Sequence, residues 1–324
     1  MRRSVFFPAQ LPLIVLLVIA TWAVAEFRQP TPKQQEQALG SLAALDPVLR
    51  KAFSAEQGFE VKKEPGGFDW LASHEESGQG YQDYLAARPN RPGEHGRSVL
   101  YLLPLGDFPK EIAPDLVTLK KQMSLYYAPM TVKILPSIPA EKVKTSSREN
   151  SLSGQTQWHS KGILLWLSNQ LPRDSYGLLA VTMTDLYPGK GWNFVFGQAT
   201  YKNRVGVFSF ARFPPNYSVE ELSEEEKSLL VLRRACKVLT HEMGHMFGIK
   251  HCIYYECNMN GANSLQEADG TPMHLCPVCL RKLQHAVGFD PESRYQDLEK
   301  FYEQNAMKEE AEWIGKRLKW LQAD

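Results

Sequence analysis

At 324 residues and 43% hydrophobic content, the chain carries enough apolar material for one large domain with elaborations. Its 37 basic and 36 acidic side chains leave a formal net charge of +1, so nothing in the charge balance points to a surface built to hold nucleic acid. No internal repeat and no long low-complexity stretch interrupts it.

The first residues read as a leader. Arg2 and Arg3 precede a run without charges that lasts until Glu26, and its unbroken apolar core is Leu13–Ala20. Ala23-Val24-Ala25 then offers small residues for cleavage, so residues 1–25 are expected to be a secretory signal peptide. The run is short for a spanning helix, which needs about 20 predominantly apolar residues; an uncleaved membrane anchor is the alternative. Both place the rest of the chain outside the cytoplasm, secreted or periplasmic.

Residues 26–96 read as a helical N-terminal extension. Lys33–Gln37 opens a segment with Leu39, Leu42, Leu45 and Leu49 at roughly helical spacing, ending near Phe53. Phe68-Asp69-Trp70-Leu71 is suited to dock the extension on the body, and Arg88-Pro89-Asn90-Arg91-Pro92-Gly93 is a turn-rich linker that marks its end. The extension holds no cysteine, and no aspartate in it is placed to block a metal site.

Residues 97–290 alternate between strand and helix patterns. Strands are expected at Ser98–Leu103, Met130–Pro136 and Leu178–Leu186, with a further pair at Trp192–Ala199 and Val205–Phe213. Helices are expected at Asp115–Tyr127, His159–Leu171, Ser223–Phe247 and Cys276–Val287. Ser223 followed by three glutamates is a strong helix start. Residues 291–324 form a C-terminal helical extension: Glu292–Ala323 reads as one or two helices that pack on the body through Trp313, Leu318 and Trp320. The fold class is α/β.

The long helix ends in chemistry. His241-Glu242-Met243-Gly244-His245-Met246-Phe247-Gly248-Ile249-Lys250-His251-Cys252 is HExxHxxGxxH followed at once by cysteine. His241 and His245 stand one turn apart, about 6 Å along the axis and on nearly the same face, which suits two imidazoles on one zinc. Glu242 points about 100° away, at the metal's flank, where it can take a proton without occupying a coordination position. His251 would lie about 15 Å up a straight helix from His241. The chain must therefore turn, and Gly248 is the residue able to take positive φ there. Three histidines leave one position open, as a catalytic zinc requires. HExxH alone also arises by accident; the added glycine and histidine make the pattern specific.

Four of the five cysteines follow as Cys252-x4-Cys257, 18 residues, then Cys276-x2-Cys279. That spacing approaches the two-knuckle pattern of a four-thiolate structural zinc. Two disulfides, or a redox-active Cys-x-x-Cys pair, are the competing readings. Neighbouring side chains point apart, so His251 and Cys252 are expected to serve distinct metals joined through one peptide bond. Cys236 is left over as a buried helix cysteine.

The run His241–Cys279 resembles the archaemetzincin family of zinc metallopeptidases, which joins HExxHxxGxxHC to C-x4-C, a methionine and C-x2-C. Met259 matches that methionine, which in the family forms a turn beneath the catalytic zinc. Asp185-Leu186-Tyr187-Pro188, Trp192–Gly197 and Val207–Arg212 also resemble family segments, and the likeness covers about residues 98–290. The resemblance implies a metzincin-like zincin domain: a mixed twisted sheet, an active-site helix and a small zinc-stabilised lower lobe. It implies a peptide or protein substrate lying along an edge strand, for which Trp192–Ala199 and Val205–Phe213 are candidates. Two zinc ions per chain are expected, one catalytic and one structural, in a monomer.

The chemistry expected is hydrolysis in which Glu242 accepts a proton from a water activated at the metal and passes it to the leaving amine. Peptide as the substrate is implied by the resemblance, since the site itself also suits another zinc amide hydrolase. A zinc-stabilised binding or scaffold protein with little turnover is the third reading; the presence of Glu242 argues against it.

Overall fold

The computed structural model of the chain describes residues 27–214 and 222–323. The expected leader lies outside them, and no helix among the described residues is long and apolar enough to cross a membrane. The chain opens with α1 (Pro32–Leu39), α2 (Pro47–Ala52), α3 (Trp70–Ser73) and α4 (Tyr81–Ala86). It continues through β1 (Val99–Leu105), α5 (Leu116–Tyr126), β2 (Thr131–Ile134), β3 (Ser147–Glu149), β4 (Thr156–His159) and α6 (Ser160–Leu167). Next come β5 (Ser175–Thr182), β6 (Asp185–Tyr187), β7 (Gly197–Thr200) and β8 (Val205–Ser209). The last part is helical, with α7 (Glu224–Met246), α8 (Leu265–Gly270), α9 (Pro277–Val287), α10 (Pro291–Gln304) and α11 (Lys308–Gln322).

The mixed α/β class expected from the alternating pattern is what forms. A five-stranded sheet runs β2-β1-β5-β8-β7, parallel except for the antiparallel edge strand β7, and β3-β4-β6 form a second, smaller sheet. Every residue of β1, β5 and β8 is buried, since helices cover both faces of the main sheet, and the strands are accordingly apolar but for Ser175, Thr182 and Ser209 at their ends. Successive side chains divide between the faces. Leu100, Leu102, Leu179, Val181 and Phe208 join the core shared with α5 and α7, while Tyr101, Leu103, Leu178, Ala180 and Val207 pack with Ile163 and Leu167 of α6.

Several expected elements are corrected. The leucine spacing from Leu39 to Leu49 predicts one helix, but Gly40 leaves α1 at φ 72° and Asp46 caps a new start at Pro47, accepting from Leu49 N at 2.9 Å. The apolar run Leu178–Leu186 predicts one strand, yet it breaks after Thr182, whose hydroxyl accepts from Thr184 N at 3.0 Å. Asp185 then crosses to the second sheet, where its buried carboxylate meets Arg212 and Gln157, both at 2.7 Å. Of Trp192–Ala199, only the part from Gly197 pairs as a strand. The carbonyls of Trp192 and Asn193 are taken by the Arg148 side chain at 2.6 and 2.9 Å, which replaces a ladder. The second candidate, Val205–Phe213, pairs only as far as Ser209, and His159–Leu171 is helical only over Ser160–Leu167.

Helix α7 carries the histidines and is started firmly. Ser223 Oγ accepts from Glu226 N at 3.2 Å while Glu226 accepts from Ser223 N at 2.8 Å, a reciprocal cap. The first helices of the described chain meet its last ones. Arg317 of α11 is 2% exposed and donates to the carbonyls of Lys51, Ala52, Ser54, Glu56 and Gln57. Trp313 donates to Gly58 O at 2.7 Å, and Arg281 of α9 to Leu39 O at 2.5 Å. Replacing Arg317 by Met would take this donor from all five carbonyls, of which Lys51 O keeps the Ser54 N–H at 3.2 Å and buried Ala52 O is left unpaired. Denaturant titration should then show a loss of about 3 kcal/mol or more, because a buried polar group stripped of its partner costs about 1–3 kcal/mol.

Candidate functional site

Helix α7 places His241 and His245 on one face, their Nε2 atoms 3.0 Å apart. The helix stops at Met246. Gly248, at φ 79°, donates to His245 O at 2.9 Å while Ile249 N donates to Gly244 O at 3.2 Å, the paired bonds of a glycine-ended helix. The chain reverses there as expected. His251 then returns to the same point, and donor atoms of the three histidines lie within 4.8 Å of one another.

The other ring nitrogens settle which atoms are free. His241 Nδ1 meets Asn258 O at 2.7 Å and His245 Nδ1 meets Ile249 O at 2.7 Å. A carbonyl only accepts, so both Nδ1 atoms carry the proton and each Nε2 keeps its lone pair. His251 Nδ1 meets Glu76 Oε1 at 2.7 Å. Burial, aided by the neighbouring histidines, holds His241 well below the usual range and brings His245 down to about 4, so both rings are neutral. Two nitrogens on one tetrahedral zinc stand about 3.3 Å apart, given bonds of roughly 2.0–2.1 Å. The donor set fits zinc.

Glu242 sits beside the cluster, its Oε1 4.0 Å from His241 Nε2. Burial pushes its carboxyl up to about 8; a cation among the histidines would oppose that effect. Met259 is wholly buried against α7, where a Cβ at Gly244 would stand 2.5 Å from its Sδ. Gly244, between the two helix histidines, therefore leaves the space that Met259 occupies.

Cys252, Cys257, Cys276 and Cys279 form a second cluster, fully buried, with sulfurs within 4.8 Å of one another. All five cysteines are free thiols in this structure, and the Cys252–Cys276 sulfurs are 3.5 Å apart, well beyond the roughly 2.05 Å of a disulfide bond. Sulfurs around a tetrahedral zinc stand about 3.8 Å apart for bonds of roughly 2.3 Å. Backbone N–H groups of Cys276 and Met259 point at Cys257 Sγ, at 3.2 and 3.4 Å, as the knuckle of a thiolate site requires. The Cys257 thiol, with those of Cys276 and Cys279, holds Cys252 well below the usual thiol range, whereas burial pushes Cys257 and Cys276 up. Cys236 stays apart, buried in α7.

Sequence reasoning missed the residues that hold these clusters in place. Gln79 donates to Gly248 O at 3.2 Å and accepts from Lys250 N at 3.1 Å. Tyr84 donates to Phe247 O at 2.9 Å. Asn260 donates to Cys252 O at 2.8 Å and to Tyr255 O at 3.0 Å. None carries a local signal, because a side chain aimed at a backbone carbonyl obeys no spacing rule.

A family model described as Peptidase family M54 matches residues 164–285, which take in both clusters. Archaemetzincin-2 of Mus musculus is 33% identical over 265 residues, which span 74% of this chain and 74% of that protein. The chain belongs to the archaemetzincin family. Archaemetzincin-1 of Homo sapiens is 35% identical over 256 residues, 72% of this chain and 51% of that protein. Among solved structures, the Archaeoglobus fulgidus archaemetzincin complexed with malonate is 28% identical, at a TM-score of 0.43 over 57% of this chain and 99% of its own. As an archaemetzincin the protein is a zinc metallopeptidase, a hydrolase acting on peptide substrates.

The turn that makes the histidine cluster is open to direct test. In Gly248→Ala the new Cβ would stand 3.0 Å from Pro89 Cβ at a backbone angle that L residues avoid. Positive φ alone costs roughly 1–2 kcal/mol. The unfolding midpoint in denaturant should fall accordingly.

Proposed function

We propose that His241, His245 and His251 hold the catalytic zinc and that Glu242 is the general base of peptide-bond hydrolysis. The assignment rests on the convergence of three histidines whose Nδ1 atoms are each engaged elsewhere. Zinc at that point supplies Lewis acidity toward a scissile carbonyl and acidifies water. Glu242 stands at the flank of the cluster, where its carboxylate takes a proton from the attacking water and delivers it to the leaving amine. Glu242→Gln keeps the shape but removes the base. It should retain zinc and the wild-type melting temperature while peptidase turnover falls about 10²–10⁴-fold, measured on a peptide library; wild-type turnover would remove Glu242 from the reaction.

We propose further that Cys252, Cys257, Cys276 and Cys279 hold a second, structural zinc. Four buried thiol sulfurs with backbone N–H donors aimed at them support that reading. The purified chain from residue 26 onward should contain two zinc ions and, denatured, titrate as five free thiols. Cys276→Ser should lose one ion and melt earlier; an unchanged melting temperature and metal content would refute the structural role.

A further inference from the structure

His251 differs from the other two histidines in what holds it. His241 and His245 ride on a rigid helix, and their Nδ1 atoms donate to neutral carbonyls at Asn258 and Ile249. His251 lies beyond the helix, on irregular chain, and its Nδ1 meets a carboxylate 175 residues away in sequence. That carboxylate, Glu76, is itself aimed: Oε1 also accepts from Trp70 Nε1 at 2.9 Å. The indole meets the His251 ring edge-on at 5.1 Å between centroids and stacks on His74 at 3.7 Å. Its seat is made to fit, since a Cβ at Gly261 would stand 2.5 Å from Trp70 Cδ1. Gln79 and Tyr84 fasten the following residues to the chain between Phe247 and Lys250.

We infer that Glu76 is a positioning residue of the metal centre: it fixes the tautomer and ring plane of His251, so the N-terminal extension completes the site. This rests on the assignment of zinc to the three histidines. A carboxylate on Nδ1 leaves Nε2 with its lone pair and makes the imidazole a stronger donor; removing such a partner typically lowers metal affinity about 10–100-fold. Neither Glu76 nor Trp70 reaches the reacting atoms in this role. Both act through His251.

The test compares full-length wild type with Glu76→Ala, Glu76→Gln, Trp70→Phe and His241→Ala. Zinc affinity is read by chelator competition and His251 ring nitrogens by long-range ¹H–¹⁵N NMR. Glu76→Ala should keep its fold and the zinc held by the cysteines, bind the zinc held by the histidines about 10–100-fold more weakly, and lose the single-tautomer pattern of His251. Glu76→Gln, which can still accept from Nδ1 but lacks the charge, should fall between; Trp70→Phe should give a smaller loss of the same kind. Should Glu76→Ala not fold, the other two variants carry the comparison. Wild-type affinity and unchanged His251 nitrogen shifts in the folded Glu76 variants would overturn the role of Glu76 alone, provided His241→Ala loses one ion. If His241→Ala instead retains all its zinc, the histidine assignment fails first.

Discussion

A straight helix cannot bring His251 to the point shared by His241 and His245, so the centre exists only because α7 stops at Met246 and the chain reverses at Gly248. The helix itself is long and capped, and its own hydrogen-bond ladder fixes the backbone of its two histidines. The reversed segment has no such internal ladder, and it is there that outside contacts collect: Tyr84 on Phe247, Gln79 on Gly248 and Lys250, and Glu76 on His251. Stiff and soft parts of one ligand set are thus held by different means, regular hydrogen bonding for the first and side chains from the N-terminal extension for the second.

From the other side, the four residues Cys257–Asn260 serve both clusters at once. Cys257 contributes its sulfur, Asn258 the carbonyl that orients His241, and Met259 the buried side chain against Gly244. Met259 O accepts from Cys252 N at 2.7 Å, and Asn260 ties back to Cys252 O. A shift in the cysteine cluster therefore moves the group that sets the tautomer of His241. The two clusters are separate in ligands and joined in mechanics.

What was legible in the sequence follows from range. The histidines and cysteines obey short spacings because one small ion must be reached from neighbouring turns, and such spacings survive in a string of letters. The strands β1 and β5 were legible because enclosure on both faces demands unbroken apolar runs. The same rule overshot at Leu186 and Phe213, since an apolar run says nothing of where Asp185 will find Arg212 or where a ladder gives way. It overshot again before Gly197, where Arg148 takes the carbonyls of Trp192 and Asn193 and Val195 makes only an isolated bridge to Leu186. Glu76 and the carbonyls of Asn258 and Ile249 were invisible for a different reason: their partners are set by tertiary approach, and a peptide carbonyl is the same at every position.

The contact between residues 39–58 and the helices α9 and α11 bears on how this molecule comes to be folded. The loop after α2 closes on Arg317 and Trp313, and the end of α1 closes on Arg281, so these early segments are completed by helices more than 200 residues further along. Contacts so distant in sequence must meet the entropy of closing long loops before they return any stabilisation, which slows folding. Leu39, Ala52 and Phe53 belong to the common core and stay without their final neighbours until α9 and α11 have formed. An apolar face of the N-terminal extension is thus covered only once segments far along the chain are in place.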